Sequence, residues 1–242
     1  MAEFEAFPKI PRLNRDITVT EKLDGTNAAV IIEELDRDDE RYGDPHSTAG
    51  QAGGVYALAE VGPHGGRRKF IVAAQSRKRL ITPNSETSKG SDNFGFAGWV
   101  QENRAELIRL LGPGRHFGEW WGQGIARNYG QTGRRFSLFN PSFKFGLTMD
   151  ESPLLADHVV DVVPVLYEGP FRQHIIDDII VTLRRDGSVA APGAKPEGVI
   201  VFHTAARQLF KVTCWDDEKP KEVAARESAK VAANDRIKKA GK

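Results

Sequence analysis

Residues 20–27 read Thr20-Glu21-Lys22-Leu23-Asp24-Gly25-Thr26-Asn27. The residues around this stretch, 16–23 and 28–33, are rich in Val, Ile and Thr and read as strands, with Asp24-Gly25 as the turn between them. The segment therefore places a lysine at a strand end. An acid and a glycine follow at once, then a hydroxyl and an amide. A lysine amine attacks an electrophile only after it loses its proton, which needs a desolvated site or neighbouring cations. Gly25 is expected to let the backbone approach a ligand closely. Thr26 and Asn27 carry hydrogen-bonding groups suited to a sugar or phosphate.

Outward from this segment, further strands are expected at 54–61, 69–75, 115–121, 134–139, 158–167, 197–203 and 207–214, each bounded by Gly, Pro, Asp or polar turn residues. Helices are fewer. Residues 96–111 place Phe96, Val100, Leu107, Ile108 and Leu111 at helical spacing, with Gly112 as the stop. Residues 171–184 place Ile175, Ile176, Ile179 and Leu183 similarly, and the Ala-rich 221–240 segment reads as a third helix. Strands in runs with few helices between them predict an α+β fold of mostly antiparallel sheets with flanking helices. The sequence shows no internal repeat.

The chain has 242 residues, enough for a sizeable core, with 40% hydrophobic and 28% charged residues, so general disorder is excluded. The formal net charge of +1 gives no global field for a polyanion, and any such surface must come from local segregation. Residues 67–79 provide it: Arg67, Arg68, Lys69, Arg77, Lys78 and Arg79 occur with no acid. Residues 219–242 are also basic, while 33–44 are acidic and run on to Gly54 as an expected exposed loop. One cysteine, Cys214, excludes an internal disulfide and a Cys-rich zinc site and reads as a buried thiol. No basic-then-apolar leader opens the sequence, and no stretch approaches the ~20 apolar residues of a membrane span. The expectation is a cytoplasmic protein with no membrane partner.

The segment around Lys22 resembles motif I of the covalent nucleotidyltransferases, Lys-x-Asp-Gly, the superfamily of DNA ligases, RNA ligases and mRNA capping enzymes. Further segments resemble its other motifs in order. Ser76-Arg77 looks like motif Ia and Phe117-Gly118-Glu119 like motif III. Phe136-Ser137-Leu138-Phe139-Asn140 looks like motif IIIa, with Phe139 as the purine-stacking ring and Phe136 as its competitor. Glu197-Gly198-Val199-Ile200-Val201 matches motif IV closely, and Leu209-Phe210-Lys211-Val212-Thr213 looks like motif V. The resemblance covers roughly residues 20–213 and implies a nucleotidyltransferase fold of the ATP-grasp-like ligase adenylation type. It also implies that Lys22 attacks the α-phosphate of ATP to form a lysyl-AMP. Glu197 and Lys211 then share the catalytic work. Glu21, Asn27, Arg77, Glu119, Phe139 and Lys211 bind the nucleotide, Glu119 and Glu197 hold Mg²⁺ or Mn²⁺, and Arg77, Lys78 and Arg79 contact nucleic acid. Trp120 and Trp121 read as packing residues, and His116 and His203 as structural ones.

Within the superfamily, Gly25-Thr26-Asn27, the Gln75–Arg79 segment and Asp92-Asn93-Phe94-Gly95-Phe96 resemble the RNA ligase 2-like group. That resemblance implies an ATP-dependent RNA ligase that transfers AMP to an RNA 5′-phosphate and seals it to a 3′-hydroxyl. A DNA nick ligase, a capping-type transferase and a silent end-binding module are the alternatives. Asp24 stands where the closest RNA ligases often have histidine. Motif V usually shows Lys-x-Lys, and here Leu209 and Thr213 flank Lys211, so Arg207 or Lys195 is the candidate second cation. Only about 30 residues follow Lys211. The expected organisation is an adenylation domain over 1–218 and a short basic helix or tail over 219–242, with an accessory protein left open as the substitute for a C-terminal domain.

Overall fold

The computed structural model describes residues 3–36, 56–61, 68–84 and 92–215. Most of the expected acidic loop, Arg67 and the expected 221–240 helix lie outside the described residues. The chain divides into two compact units. One comprises Met1–Lys22 and Val165–Lys242, the other Leu23–Pro164. The first boundary falls directly after Lys22.

The first unit holds a four-stranded antiparallel sheet built from β1 (Asp16–Lys22), β9 (Val165–Pro170), β10 (Gly198–His203) and β11 (Gln208–Thr213), in the order β11-β10-β1-β9. Side chains alternate across a strand. Ile17 and Val19 of β1 and Val199 and Val201 of β10 therefore share one face, and they pack against Ile176, Ile180 and Leu183 of helix α4 (Gln173–Asp186). The 4-and-3 spacing of those helix residues gives one apolar stripe. Arg184 and Arg185 in the last turn complement the helix dipole, and Gly187 ends the helix at φ 91°. β1 pairs with β10 so that Lys22 stands opposite Gly198 and Thr20 opposite Ile200. In turn Gly198 stands opposite Thr213 and Ile200 opposite Lys211. A Cβ at Gly198 would lie 2.1 Å from the Val212 carbonyl oxygen, so only glycine lets β11 approach here.

The second unit holds a seven-stranded sheet. Its order is β3 (Tyr56–Val61), β4 (Arg68–Ser76), β2 (Thr26–Leu35), β6 (Gly114–Gly122), β7 (Arg134–Leu138) and β8 (Val160–Val162), with β5 (Leu80–Ile81) paired to β4. All pairs are antiparallel except β7 with β8. One face carries Ala28, Val30, Ile32, Phe70, Val72, Trp120, Phe136 and Leu138 onto helices α1 (Phe96–Glu102) and α2 (Arg104–Leu111). The rings of Phe96, Trp99, Trp120 and Phe136 meet there with centroids 5.0 to 6.0 Å apart. A short α3 (Pro153–Ala156), unforeseen in the sequence, precedes β8. Among the described residues no helix is long and apolar enough to cross a membrane.

The α+β class and the antiparallel bias are as expected, but two elements are divided. The strand expected at 158–167 is two strands in different sheets, because Pro164 between them offers no N–H to a ladder. The helix expected at 96–111 breaks at Asn103 (φ −98°, ψ 11°), whose side-chain Nδ2 and backbone N–H both donate to the Trp99 carbonyl, at 2.8 and 3.0 Å.

Candidate active site

In the first unit the residues singled out from the sequence converge at one end of the four-stranded sheet. Lys22 closes β1, and its Nζ lies 2.5 Å from Glu197 Oε2, on the residue that enters β10. That oxygen is buried and makes no aligned hydrogen bond, so the contact is a charge pair. Lys211 is exposed and lies on the Lys22 face, in the row of Thr20 and Ile200. Thr213 takes the row of Lys22 itself, and its hydroxyl donates to the Trp215 carbonyl at 3.0 Å. The register thus puts Lys211 on the Lys22 face, two residues along β11 from the row of Lys22.

The same register separates the two substitute cations. Arg207 sits in the turn after His203, at the far end of β10, roughly 16 Å along the strand at 3.3 Å per residue. It is too distant to serve the Lys22 row. Lys195 lies at the near end, two residues before Glu197, with its Nζ 4.1 Å from the centre of the Trp215 ring. A cation over an indole face is held by the ring quadrupole.

Glu21 points to the opposite face of β1 from Lys22 and is 1% exposed. Its Oε2 accepts the backbone N–H groups of Val189 and Ala190, both at 2.9 Å, while Oε1 is buried without a hydrogen-bond partner. Burial raises its carboxyl above the ordinary value, against the lowering effect of hydrogen bonds from Ser188, Ala190 and Val189.

In the second unit, Asn27, Glu119 and Phe139 lie on the sheet face away from the helices. Asn27 of β2 stands opposite Glu119 of β6, Glu119 opposite Ser137 of β7, and Ser137 opposite Asp161 of β8, one polar row across four strands. Glu119 Oε1 accepts the N–H of Gly25 at 3.1 Å. A Cβ at Gly25 would lie 2.4 Å from the Trp120 carbonyl oxygen and 2.7 Å from Trp121 Cβ, so glycine is required here for the contact with β6. Thr26 donates its hydroxyl to Asn93 Oδ1 at 2.8 Å.

Phe139 and Phe117 are the exposed rings on this face, 40% and 44% exposed, and the Phe139 N–H donates to the Phe117 carbonyl at 2.9 Å. Phe136 is fully buried on the helix side, which removes it as the competitor of Phe139. Trp120 and Trp121 are packing residues, as expected. Trp121 Nε1 donates to Ser137 Oγ at 2.8 Å. Burial raises the carboxyl of Asp161, against a hydrogen bond from Ser137 and the charges of Arg135 and His158. Arg77, Lys78 and Arg79 are exposed on the β4–β5 turn, which the Ser76 N–H closes on the Arg79 carbonyl at 2.8 Å. His116 bonds the Gly112 carbonyl at 3.0 Å and burial lowers its pKa, while the buried His203 bonds the Leu13 carbonyl at 2.7 Å; both are structural.

Two residues escaped the sequence reading. Arg127 Nε donates to Asp24 Oδ2 at 2.7 Å, and the Asp24 N–H donates to Tyr129 Oη at 2.9 Å. The available signal was the cluster of Gly122, Gly124, Gly130 and Gly133 with Asn128, which marks an elaborate turn but not its target.

A two-sheet α+β protein, with a lysine charge-paired to a buried glutamate at a strand end and a second glutamate gripping the turn that follows, is the class that fold and site define. The chain belongs to the RNA ligase family, whose model matches residues 15–213. No curated protein matches. Solved structures of Naegleria gruberi RNA ligase mutants are similar at low identity. An apo form is 15% identical over 87% of this chain and 52% of that one, with a TM-score of 0.45. A form with AMP and Mn is 19% identical over 83% and 50%, with a TM-score of 0.44. The chain spans about half the length of these structures.

Proposed function

We propose that this chain is the adenylylating part of an ATP-dependent RNA ligase working in the cytoplasm. The observation that carries the reading is the Lys22–Glu197 charge pair at the end of β1, inside the segment that matches the family. Lys22 Nζ, once it has lost its proton, attacks the α-phosphorus of ATP. A nitrogen–phosphorus bond forms, the bond to the bridging oxygen breaks, and pyrophosphate leaves. The AMP then passes to an RNA 5′-phosphate, and a 3′-hydroxyl displaces it as the strand closes.

The residues support this chemistry in named ways. Phosphoryl transfer depends on positioning and on cations at the phosphate oxygens. Lys211 supplies one such cation, and Lys195, steadied on Trp215, supplies the one that Thr213 lacks. Phe139 offers a ring face for the purine. Arg77, Lys78 and Arg79 face RNA phosphates.

Among the described residues no cluster of three or more His, Cys, Asp or Glu side chains is set for a metal. Mg²⁺ in nucleotide sites is held by one or two carboxylates with water and phosphate oxygens, and Glu197 in the first unit and Glu119 in the second are each a carboxylate that could serve in that mode. When bound, the metal would offset charge on the phosphate oxygens.

The test uses ATP labelled at the α-phosphate. Protein first stripped of AMP with pyrophosphate is mixed with the label and Mg²⁺ or Mn²⁺ and run on a denaturing gel. Wild type should carry label that Lys22→Ala does not, and it should seal a nicked RNA. Absence of label on wild type with ATP or GTP would overturn the reading in favour of an end-binding module.

A further inference from the structure

We propose that Arg127 and Tyr129 are positioning residues that hold the backbone two residues after the nucleophile. The inference rests on Lys22 being that nucleophile. Asp24, two residues after Lys22, is gripped twice. Tyr129 Oη accepts its backbone N–H at 2.9 Å, and Arg127 Nε donates to its carboxylate at 2.7 Å. One contact fixes the peptide plane and the other the side chain. Glu119 then holds the next N–H, that of Gly25. Asp24 and Gly25 are therefore each held by side chains of the second unit.

The loop that delivers these groups is longer than its connection requires. β6 and β7 are adjacent antiparallel strands, which a hairpin of two to five residues can join. Here residues 123–133 intervene. Ala126, Asn128 and Tyr129 have φ of 42°, 60° and 48°, a region disfavoured for residues with a side chain. Such a backbone persists only when its surroundings over-determine it, and these do. Asn128 Oδ1 accepts the Gly124 N–H at 2.9 Å, the Asn128 N–H donates to the Ile125 carbonyl at 2.8 Å, and Ile125 is buried in the core of its unit. The Tyr129 ring meets Trp121 edge-on at 5.3 Å. A costly, well-braced loop places Arg127 and Tyr129 on Asp24, over 103 and 105 residues of sequence. Neither group acts on ATP in the reading above. Their effect passes through Asp24 to the orientation of Lys22, on which in-line attack depends.

The experiment measures lysyl-AMP formation in single turnover against ATP concentration, for wild type, Tyr129→Phe, Arg127→Ala, Arg127→Lys and Asp24→Asn. The maximal rate should fall about tenfold or more in Tyr129→Phe and Arg127→Ala, as expected for a misplaced nucleophile. Half-saturating ATP should move by less than about twofold, because uniform binding is untouched. Arg127→Lys should recover most of the rate. Arg127→Ala should cost less when added to Asp24→Asn than it does alone, since the amide keeps an acceptor for Arg127 but loses the charge that strengthens the contact. Arg127 is exposed, so its variants keep the fold, and thermal melting checks this for Tyr129→Phe. Variants that label at the wild-type rate, or an Arg127→Ala loss that adds fully to Asp24→Asn, would overturn the proposal. An unlabelled wild type would instead sink the ligase reading on which it rests.

Discussion

Glu21 shows how one residue can be both support and liability. Its buried carboxylate ties the 188–190 segment to β1 through two backbone donors, yet Oε1 remains unpartnered. Burial of this carboxylate raises the Glu21 pKa above the usual value in the native state, against the lowering effect of its hydrogen bonds. A carboxyl raised on folding binds its proton more tightly in the native than in the unfolded chain. Its stabilising contribution is complete below the unfolded pKa, near 4.5, and is lost as pH rises through the higher native value. Wild type should thus gain stability relative to Glu21→Gln as pH falls from 7 toward 4.5. Urea denaturation of both proteins across that range measures the difference, and a constant gap would refute the sign. Lys22, Glu197 and Glu119 could be singled out as candidates because each sits in a short segment whose residue types follow a motif. Arg127 and Tyr129 could not, because nothing in local pattern connects them with Asp24.

Among the elements, register carries information that composition does not. The alternation of Val and Ile marked β1 and β10, but only their pairing with β11 shows that Thr213, not Lys211, shares the row of Lys22. The strand over 158–167 was read as one because its apolar residues run through Pro164 without a break. Proline's missing donor decides the matter only once the partners on each side are known. The helix over 96–111 kept its apolar spacing across the break at Asn103, so periodicity alone could not expose it. The register of β11 yields a second expectation. If Lys195 replaces the cation missing at Thr213, Lys195→Ala should slow lysyl-AMP formation by roughly ten- to a hundredfold, an oriented charge–phosphate contact being worth about 1.5–3 kcal/mol. Thr213→Lys in the same background should restore the rate, because it returns a lysine to the Lys22 row. Labelling rates of the single and double variants decide it, and failure of the added lysine to rescue would remove Lys195 from that role.

For the whole molecule, the α+β class was legible because strand signals outnumber helical ones along the chain. The division into two units was not, because both boundaries, after Lys22 and after Pro164, fall inside segments that read as continuous strand. Charge is the property that belongs to this scale. With a formal net charge of +1, the chain as a whole exerts little pull on a polyanion, so the RNA binding proposed above would have to arise where cations are concentrated. Among the described residues, the exposed turn of Arg77, Lys78 and Arg79 is such a concentration. A protein that neutralises phosphates releases condensed counterions, and log K falls with log salt by about 0.9 per phosphate on a duplex. Binding of a nicked RNA duplex to Lys22→Ala protein, which does not turn over in the proposed reaction, should therefore weaken steeply with salt. Replacing Arg77, Lys78 and Arg79 together by alanine should make that slope shallower by roughly two, less than the full three contacts if one cation faces solvent. The stability of the protein should hardly change, since exposed charges on a turn contribute little to folding. An unchanged slope with weaker binding would mean that the turn acts through its shape rather than its charge, and the phosphate contacts would then belong to another surface of the chain.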